Sequence, residues 1–422
     1  MELLLFNNQE DDMKSLLLAA TLVSSSAFAA EYIVKFKTGT KSLIDMKSYG
    51  DVRDLNLSFG EFAVLSSQQK SVMKSLSNHP AIEYIEPNYT YHTSRSPKDS
   101  DFEKQWGLHN DGKNSGSWWS RGVAGVDISA LKAWEVTKGS KEIKIAVIDT
   151  GVDYNHDDLA GNIMINELEK NGIEGVDDDG NGYIDDVYGY DFANDDSDPM
   201  DGHGHGTHCA GVIGAKHDSK GIAGVNAHVQ ILPIKFLKDN GSGSLEAALK
   251  SIDYATARGV DIMSNSWGGG GRSQALFEAI ERAKDAGITF VVAAGNSNSN
   301  NDKKPTYPAN YKVDNVISVG ALDGKGERAS FSNYGEKTVH VFAPGVKIYS
   351  TVQGNRYKKM SGTSMACPHV AGVAGLLLAS EPNLTYSDIK ERLMGTSVIS
   401  TDLNKYTRSG YVDAHKALTN KR

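Results

Sequence analysis

The chain has 422 residues, 39% hydrophobic and 23% charged, with 43 glycines and 10 prolines. That balance excludes a disordered or collagen-like chain and leaves room for more than one core. The net charge of −9 is local: residues 174–201 hold 11 acidic side chains and no Lys or Arg, leaving +2 on the rest. No basic stripe marks a nucleic-acid partner, and two cysteines, Cys209 and Cys367, do not make a disulfide framework.

Residues 1–29 read as a signal peptide. Met13-Lys14 precedes the apolar run Leu16 to Val23, and Ala27-Phe28-Ala29 gives an A-x-A cleavage pattern. The acidic stretch 1–12 fits poorly as a leader start, so translation is expected to begin at Met13. The apolar run falls short of the ~20 residues a membrane span requires, and no later segment is expected to span.

Residues 30–92 carry the order β-α-β-β-α-β, a ferredoxin-like pattern. Strands are expected at Tyr32–Phe36, Arg53–Leu57, Phe62–Leu65 and Ile82–Ile85. Helices are expected near Leu43–Met46 and over Ser67–Leu76. Residues 93–104 are polar and aperiodic, a linker and processing zone.

From residue 105 to 422, apolar runs alternate with helical patterns. The strands are Ile143–Ile148, Val229–Phe236, Val260–Met263, Ile288–Ala293 and Val316–Val319. The helices are Leu245–Ala257, Ser273–Asp285, Thr363–Ala379 and Tyr386–Met394. Continuous apolar strands predict a sheet buried on both faces. The expected fold is an α/β three-layer sandwich, a mainly parallel sheet flanked by helices, preceded by the small α+β domain. Sites in such sheets gather at strand carboxyl ends.

Three motifs carry chemistry. Asp149 ends the apolar strand in AVIDTGVD, His205 lies in DGHGHGTHCAG, and Ser364 lies in SGTSMACPHVAG at the start of a long apolar helix. Acyl transfer needs a nucleophile, a base and a carboxylate that orients the base. Free N–H groups at a helix start suit an anionic intermediate.

In the order Asp, His, Ser these motifs resemble those of the subtilisin family of serine peptidases. The resemblance runs from about Trp106 to the C-terminus, and residues 31–92 are similar to the family's inhibitory propeptide. It implies a secreted serine endopeptidase acting on protein and peptide substrates, extracellular or periplasmic, monomeric, and made as a self-processing precursor. Asn296, in FVVAAGNSN, matches the oxyanion-hole asparagine. Gly241-Ser242-Gly243 and Ser266-Trp267-Gly268 match the strands that pair an extended peptide. Residues 266–268, Ala294, Gly295 and Thr306 are expected to outline the P1 pocket. These stretches hold no acidic residue, so an apolar P1 preference is expected, with Thr306 shortening the slot.

The loop VDDDGNGYIDD opens like a D-x-D-x-N-G calcium loop, with Asp177, Asp179, Asn181 and Tyr183 as ligands. The twelfth position is Tyr188 and not Glu, so Asp185 or Asp186 is the substitute. The resemblance implies a second calcium site at Asp158 and Asp218 with Gln105. The competing readings are weaker. A zinc cluster at His203, His205 and His208 has Thr207 where an acid is needed. A lipase-like hydrolase would run Ser, Asp, His. An inactive binding protein would not need all four catalytic residue types. Cys209 and Cys367 are expected as buried thiols; a bridge would need their Cα atoms within about 7 Å.

Overall fold

The computed structural model describes residues 30–69, 72–88, 97–113 and 121–421. The signal peptide over 1–29, the end of the first domain over 89–92 and the part of the processing zone over 93–96 lie outside the described residues. The chain divides into two units, residues 1–92 and 93–422.

In the first unit, strands β1 (Ala30–Phe36), β2 (Asp51–Leu57) and β3 (Gly60–Ser67), helix α1 (Val72–Ser77) and strand β4 (Ile82–Pro87) follow in order. The sheet is antiparallel in the order β2-β3-β1-β4. Alternate residues Val34 and Phe36 from β1, with Ala63 and Leu65 from β3, bury against Val72 and Leu76 of α1. Two sequence expectations change. Ser67 belongs to β3, not to a helix. Leu43–Met46 is split between two short 3-10 turns, because Asp45 leaves helical geometry and accepts the Lys47 N–H at 3.2 Å.

The second unit contains α2 (Ala130–Ala133), β5 (Gly139–Asp149), α3 (Glu167–Lys170), β6 (Tyr190–Asp191), α4 (His205–Gly214) and β7 (His228–Lys235). It continues with α5 (Leu245–Ala257), β8 (Ile262–Asn265), α6 (Gln274–Asp285), β9 (Thr289–Ala293), β10 (Val316–Leu322) and β11 (Val341–Pro344). It ends with the hairpin β12 (Ile348–Val352) and β13 (Arg356–Met360), then α7 (Thr363–Ser380), α8 (Tyr386–Gly395) and α9 (Ala414–Thr419).

Seven strands form one sheet in the order β11-β10-β9-β8-β5-β7-β6, with every pairing parallel. Strand β5 shows why both faces are apolar. Ile145 and Val147 enter the core shared with α4 and α7, whereas Ala146 and Ile148 enter the core shared with α5 and α6. Helix α5 begins where the Ser244 hydroxyl caps the Ala247 N–H, and α6 where Ser273 caps Leu276.

Helix α7 is apolar all round because it packs centrally against the sheet. By length and composition it would cross a membrane, contrary to the expectation that no later segment qualifies; here 83% of it is buried within the unit. Residues 97–104, expected as linker, fold onto this unit. Phe102 and Asp99 are buried, and the Asp101 N–H reaches the Gly221 carbonyl at 2.7 Å.

Candidate active site

Because the strands are parallel, the residues that follow them meet at one edge of the sheet. Asp149 ends β5 at the sheet centre, Ser266–Gly268 follow β8, and Ala294–Asn296 follow β9. Helix α4 starts beside this edge. A Cβ at Gly206 would lie 2.0 Å from the Gly151 carbonyl and 3.1 Å from Asp149 Cβ, so only glycine lets the first turn come this close.

That approach joins two predicted residues. His205 Nδ1 lies 2.7 Å from Asp149 Oδ1, which also accepts the Thr150 N–H at 2.7 Å. Asp149 is fully buried and the His205 side chain 21% exposed. Burial opposes protonation of His205, but the Asp149 charge and hydrogen bond, with Asp201, hold its pKa above the ordinary imidazole value.

Asp201 was not singled out from the sequence. It is 2% exposed. One oxygen accepts the His203 and Gly204 N–H groups and the Thr150 hydroxyl, at 2.8 to 2.9 Å. The other accepts the Thr207 N–H at 2.9 Å and hydroxyl at 2.6 Å. Thr150 in turn accepts the Gly206 N–H. One buried carboxylate therefore ties the residue after Asp149 to the turn that carries His205.

Ser364 is the second residue of α7, so its N–H has no partner within the helix. Pro368 cannot donate to the Ser364 carbonyl four residues back. That carbonyl instead accepts the Ser266 hydroxyl at 2.9 Å and the Cys209 thiol at 3.4 Å. Cys209 Sγ is also within 4.8 Å of ligand-type atoms of Asp149 and His205, which brings the nucleophile helix to the Asp–His pair. Ser364 Oγ itself donates to the Ser266 carbonyl at 3.1 Å rather than to the imidazole.

Asn296 accepts the Thr363 N–H at 2.8 Å and hydroxyl at 3.0 Å through its side-chain oxygen, which leaves Nδ2 free to donate elsewhere. A Cβ at Gly362 would lie 3.5 Å from Asn296 Nδ2 and 3.6 Å from Ser364 N. Two potential donors, Asn296 Nδ2 and the Ser364 N–H, thus lie near one point beside Gly362.

A cavity of about 650 Å³ runs from His205 between Gly241–Ser244 and Ser266–Gly268, with Phe236, Leu245 and Leu276 among its apolar walls. The main-chain groups of Gly243 and Gly268 make no hydrogen bond among the described residues. Ala294, Gly295 and Thr306 are not walls of this cavity. They lie beside each other across the site: a Cβ at Gly295 would be 3.4 Å from Thr306 Cγ2. The Thr306 hydroxyl is taken up by Asn301 and Asn333.

Of the other motif residues, His208 and the cysteines are buried, and His203 lines the cavity. His208 places Nε2 3.0 Å from the Ile348 carbonyl, and burial pulls its pKa down to about 3. His203 stacks edge-on to His205 with ring centroids 6.2 Å apart. Cys209 and Cys367 are both free and buried, and burial pushes the Cys367 thiol up to about 12.

The acidic loop is less bare than its sequence implies. Arg258 lies 3.1 Å from Asp179 and 3.4 Å from Asp186, and Asp186 also accepts Tyr254, Asn166 and Asn181. Asp186 is thus held within the fold. Asn181 Oδ1 likewise accepts the Tyr183 N–H. Glu169, which the sequence did not flag, is buried and brings a carboxylate oxygen within 4.8 Å of oxygens of Asp177 and Asp179. This trio fits a hard cation by donor chemistry.

At the second predicted site Gln105 exchanges both amide atoms with Ala223, and Asp218 pairs with Lys216 at 3.0 Å. The oxygens left without a partner are Asp158 Oδ1 and Asp99 Oδ2, both buried. Asp99 accepts the Asp218 and Ser219 N–H groups, and Asp158 accepts that of Ile222, so both border one loop. Burial raises both carboxyl pKa values. Asp158, expected from the sequence, and Asp99, which was not, leave uncompensated buried oxygens and fit a cation better than Asp218 or Gln105.

Comparison with known proteins agrees with this geometry. The family model for subtilases, Peptidase_S8, matches residues 140–416. The chain is 38% identical over 352 residues to the thermophilic serine proteinase of Bacillus sp. (strain AK1), covering 83% of this chain and 76% of that protein. It is 39% identical over 300 residues to thermitase of Thermoactinomyces vulgaris, covering 71% and 96%. Among solved structures, a cold adapted subtilisin-like serine proteinase superposes with a TM-score of 0.56 at 30% identity, covering 73% of this chain and 98% of that one. The chain belongs to the subtilase family and is a serine-type endopeptidase.

Proposed function

We propose that Ser364, His205, Asp149 and Asn296 carry out peptide hydrolysis through an acyl-enzyme, and that the enzyme is a secreted protease released from its own precursor. The observation that supports the catalytic reading is that Asn296 Nδ2 and Ser364 N lie near one point beside Gly362. A rotation about Ser364 χ1 moves its hydroxyl from the Ser266 carbonyl to the imidazole, a bond that commonly tightens only with substrate present. His205 then takes the hydroxyl proton as Oγ attacks the scissile carbonyl. The carbonyl oxygen gains negative charge and is held by the Asn296 amide and the Ser364 N–H. Asp149 keeps the Nδ1 proton oriented and stabilises the imidazolium, which next protonates the leaving amine. Water repeats the sequence on the acyl-enzyme.

An extended substrate pairs with the open main-chain groups of Gly243 and Gly268. The walls of the cavity beside His205 hold no carboxylate among the described residues and include Phe236, Leu245 and Leu276, which favours apolar side chains. Residues 30–92 act as the inhibitory propeptide, and the leader over 1–29 directs secretion. The buried anchoring of Asp99 and Phe102 supports cleavage ahead of residue 97. Calcium is structural, held by Glu169, Asp177 and Asp179 at one site and by Asp99 and Asp158 at the other. It takes no part in the chemistry.

One experiment tests the reading: digestion of a peptide library by the wild type and by Ser364→Ala. The wild type is expected to cut after apolar residues, unaffected by a zinc chelator in excess calcium. The variant should not cut and should keep residues 30–92 attached. Dominant cleavage after Arg or Lys would sink the specificity, and an active, processed Ser364→Ala would sink the mechanism.

A further inference from the structure

Behind the loop that carries Thr306 lies a second cavity, of about 530 Å³. His340, Lys390 and Arg408 wall it, from the start of β11, from α8 and from the segment after α8. Lys312 and Lys337 stand at its rim. A neighbouring cavity of about 570 Å³ shares Lys390 and Arg408. None of these four cations forms an ion pair among the described residues. In a protein of net charge −9 this is an unusual concentration of unpaired positive charge.

Two carboxylates also line the cavity, Asp302 and Asp314, and Glu391 lines the neighbouring one, but none forms an ion pair with these cations among the described residues. Asp302 is turned to the Thr338 hydroxyl at 2.7 Å and the Lys337 N–H at 3.2 Å. Asp314 gives Lys390 only its main-chain carbonyl, at 3.1 Å, and a distant attraction. His340 is 8% exposed. Its Nδ1 accepts the Ser318 N–H at 2.9 Å, so the proton sits on Nε2, which has no protein partner. Burial together with the charges of Lys390 and Arg408 keeps the ring neutral, its pKa pulled down to about 3. Burial, only partly offset by Asp314 and reinforced by Arg408, brings Lys390 down to about 8. A buried N–H donor beside two repelling cations is a charge arrangement completed by an anion.

We propose that this cavity is a binding site for an oxyanion, a sulfate or phosphate group or a carboxylate, seated against His340 Nε2–H between Lys390 and Arg408. The ligand's oxygens accept from the imidazole and from both cations, which removes their mutual repulsion. The site is separate from the peptide groove, although Tyr307 walls both cavities.

The test uses the protein inactivated by a serine-directed covalent inhibitor, with inorganic sulfate as probe at constant ionic strength. Titration calorimetry and thermal unfolding are compared between wild type and Arg408→Gln, since Arg408 makes no side-chain hydrogen bond and touches nothing in the peptide groove. Saturable sulfate binding and a saturable rise in Tm are expected for the wild type. Arg408→Gln should bind at least about tenfold more weakly, as expected for one lost charge-assisted contact. In chloride alone the variant should melt no lower than the wild type, because repulsion is relieved. A parallel titration with succinate distinguishes a tetrahedral ligand from any oxyanion, and either answer supports the site. Absence of saturation in the wild type, equal sulfate effects in both proteins, or a lower Tm for Arg408→Gln in chloride would each overturn the proposal.

Discussion

Asn296 gives its side-chain oxygen to Thr363, so only its amide can turn toward a reacting carbonyl. That fixed orientation makes it useful when charge develops and nearly irrelevant before. Asn296→Ala should lower kcat by on the order of 10²–10³, the loss seen for the equivalent donor in subtilisin, with KM little changed. Steady-state kinetics on one peptide would decide, and an unchanged kcat would remove Asn296 from the site. Asp201 acts one step further back. Its five accepted hydrogen bonds hold Thr150 and the first turn of α4 in register. Its charge also favours protonated His205. Replacing Asp201 by Asn removes that charge and destabilises the imidazolium, so the acid limb of kcat/KM should move to lower pH while kcat falls. A purely structural role would reduce the active fraction and leave the limb in place. The triad residues were legible because each sits in a long motif; Asp201 was not, because its partners are scattered over residues 150 to 207.

At the scale of elements, four of the eight α-helices and five of the nine strands described in the second unit were readable. Continuous apolar runs gave β5, β7, β8, β9 and β10, and 3.6-residue periodicity gave α5, α6 and α8. Strand β13, Arg356–Met360, was missed because it is largely exposed and polar, and β6 because it has two residues. The loops proposed to bind cations were half legible. Dense carboxylates in 177–186 suggested a cation, but Arg258 already compensates Asp179 and Asp186, and it lies 79 and 72 residues away. Asp99 stood in a polar segment that looked like linker; its burial depends on N–H groups 119 and 120 residues further along the chain. Calcium removal by EDTA should lower Tm by on the order of 5 °C, restored by excess calcium. Asp99→Asn should shrink that calcium-dependent increment. Identical melting with and without chelator would reject both sites.

The whole molecule is organised by its parallel sheet. Two cores on opposite faces fix β5, and the shared carboxyl edge delivers the site residues from segments far apart in sequence. The alternation of apolar strands and helices was enough to place the site at that edge. It could not give the contacts across it, such as the Pro368-freed carbonyl of Ser364 held by Ser266 and Cys209. On this proposal metal is a matter of scaffold stability and chemistry a matter of one serine. The most direct measurement is therefore to inactivate the processed enzyme with a serine-directed fluorophosphonate and map the modified peptide by mass spectrometry. One adduct per molecule on Ser364, rising in step with loss of peptidase activity, is predicted. Label on another residue, or full activity after complete labelling of Ser364, would contradict the account.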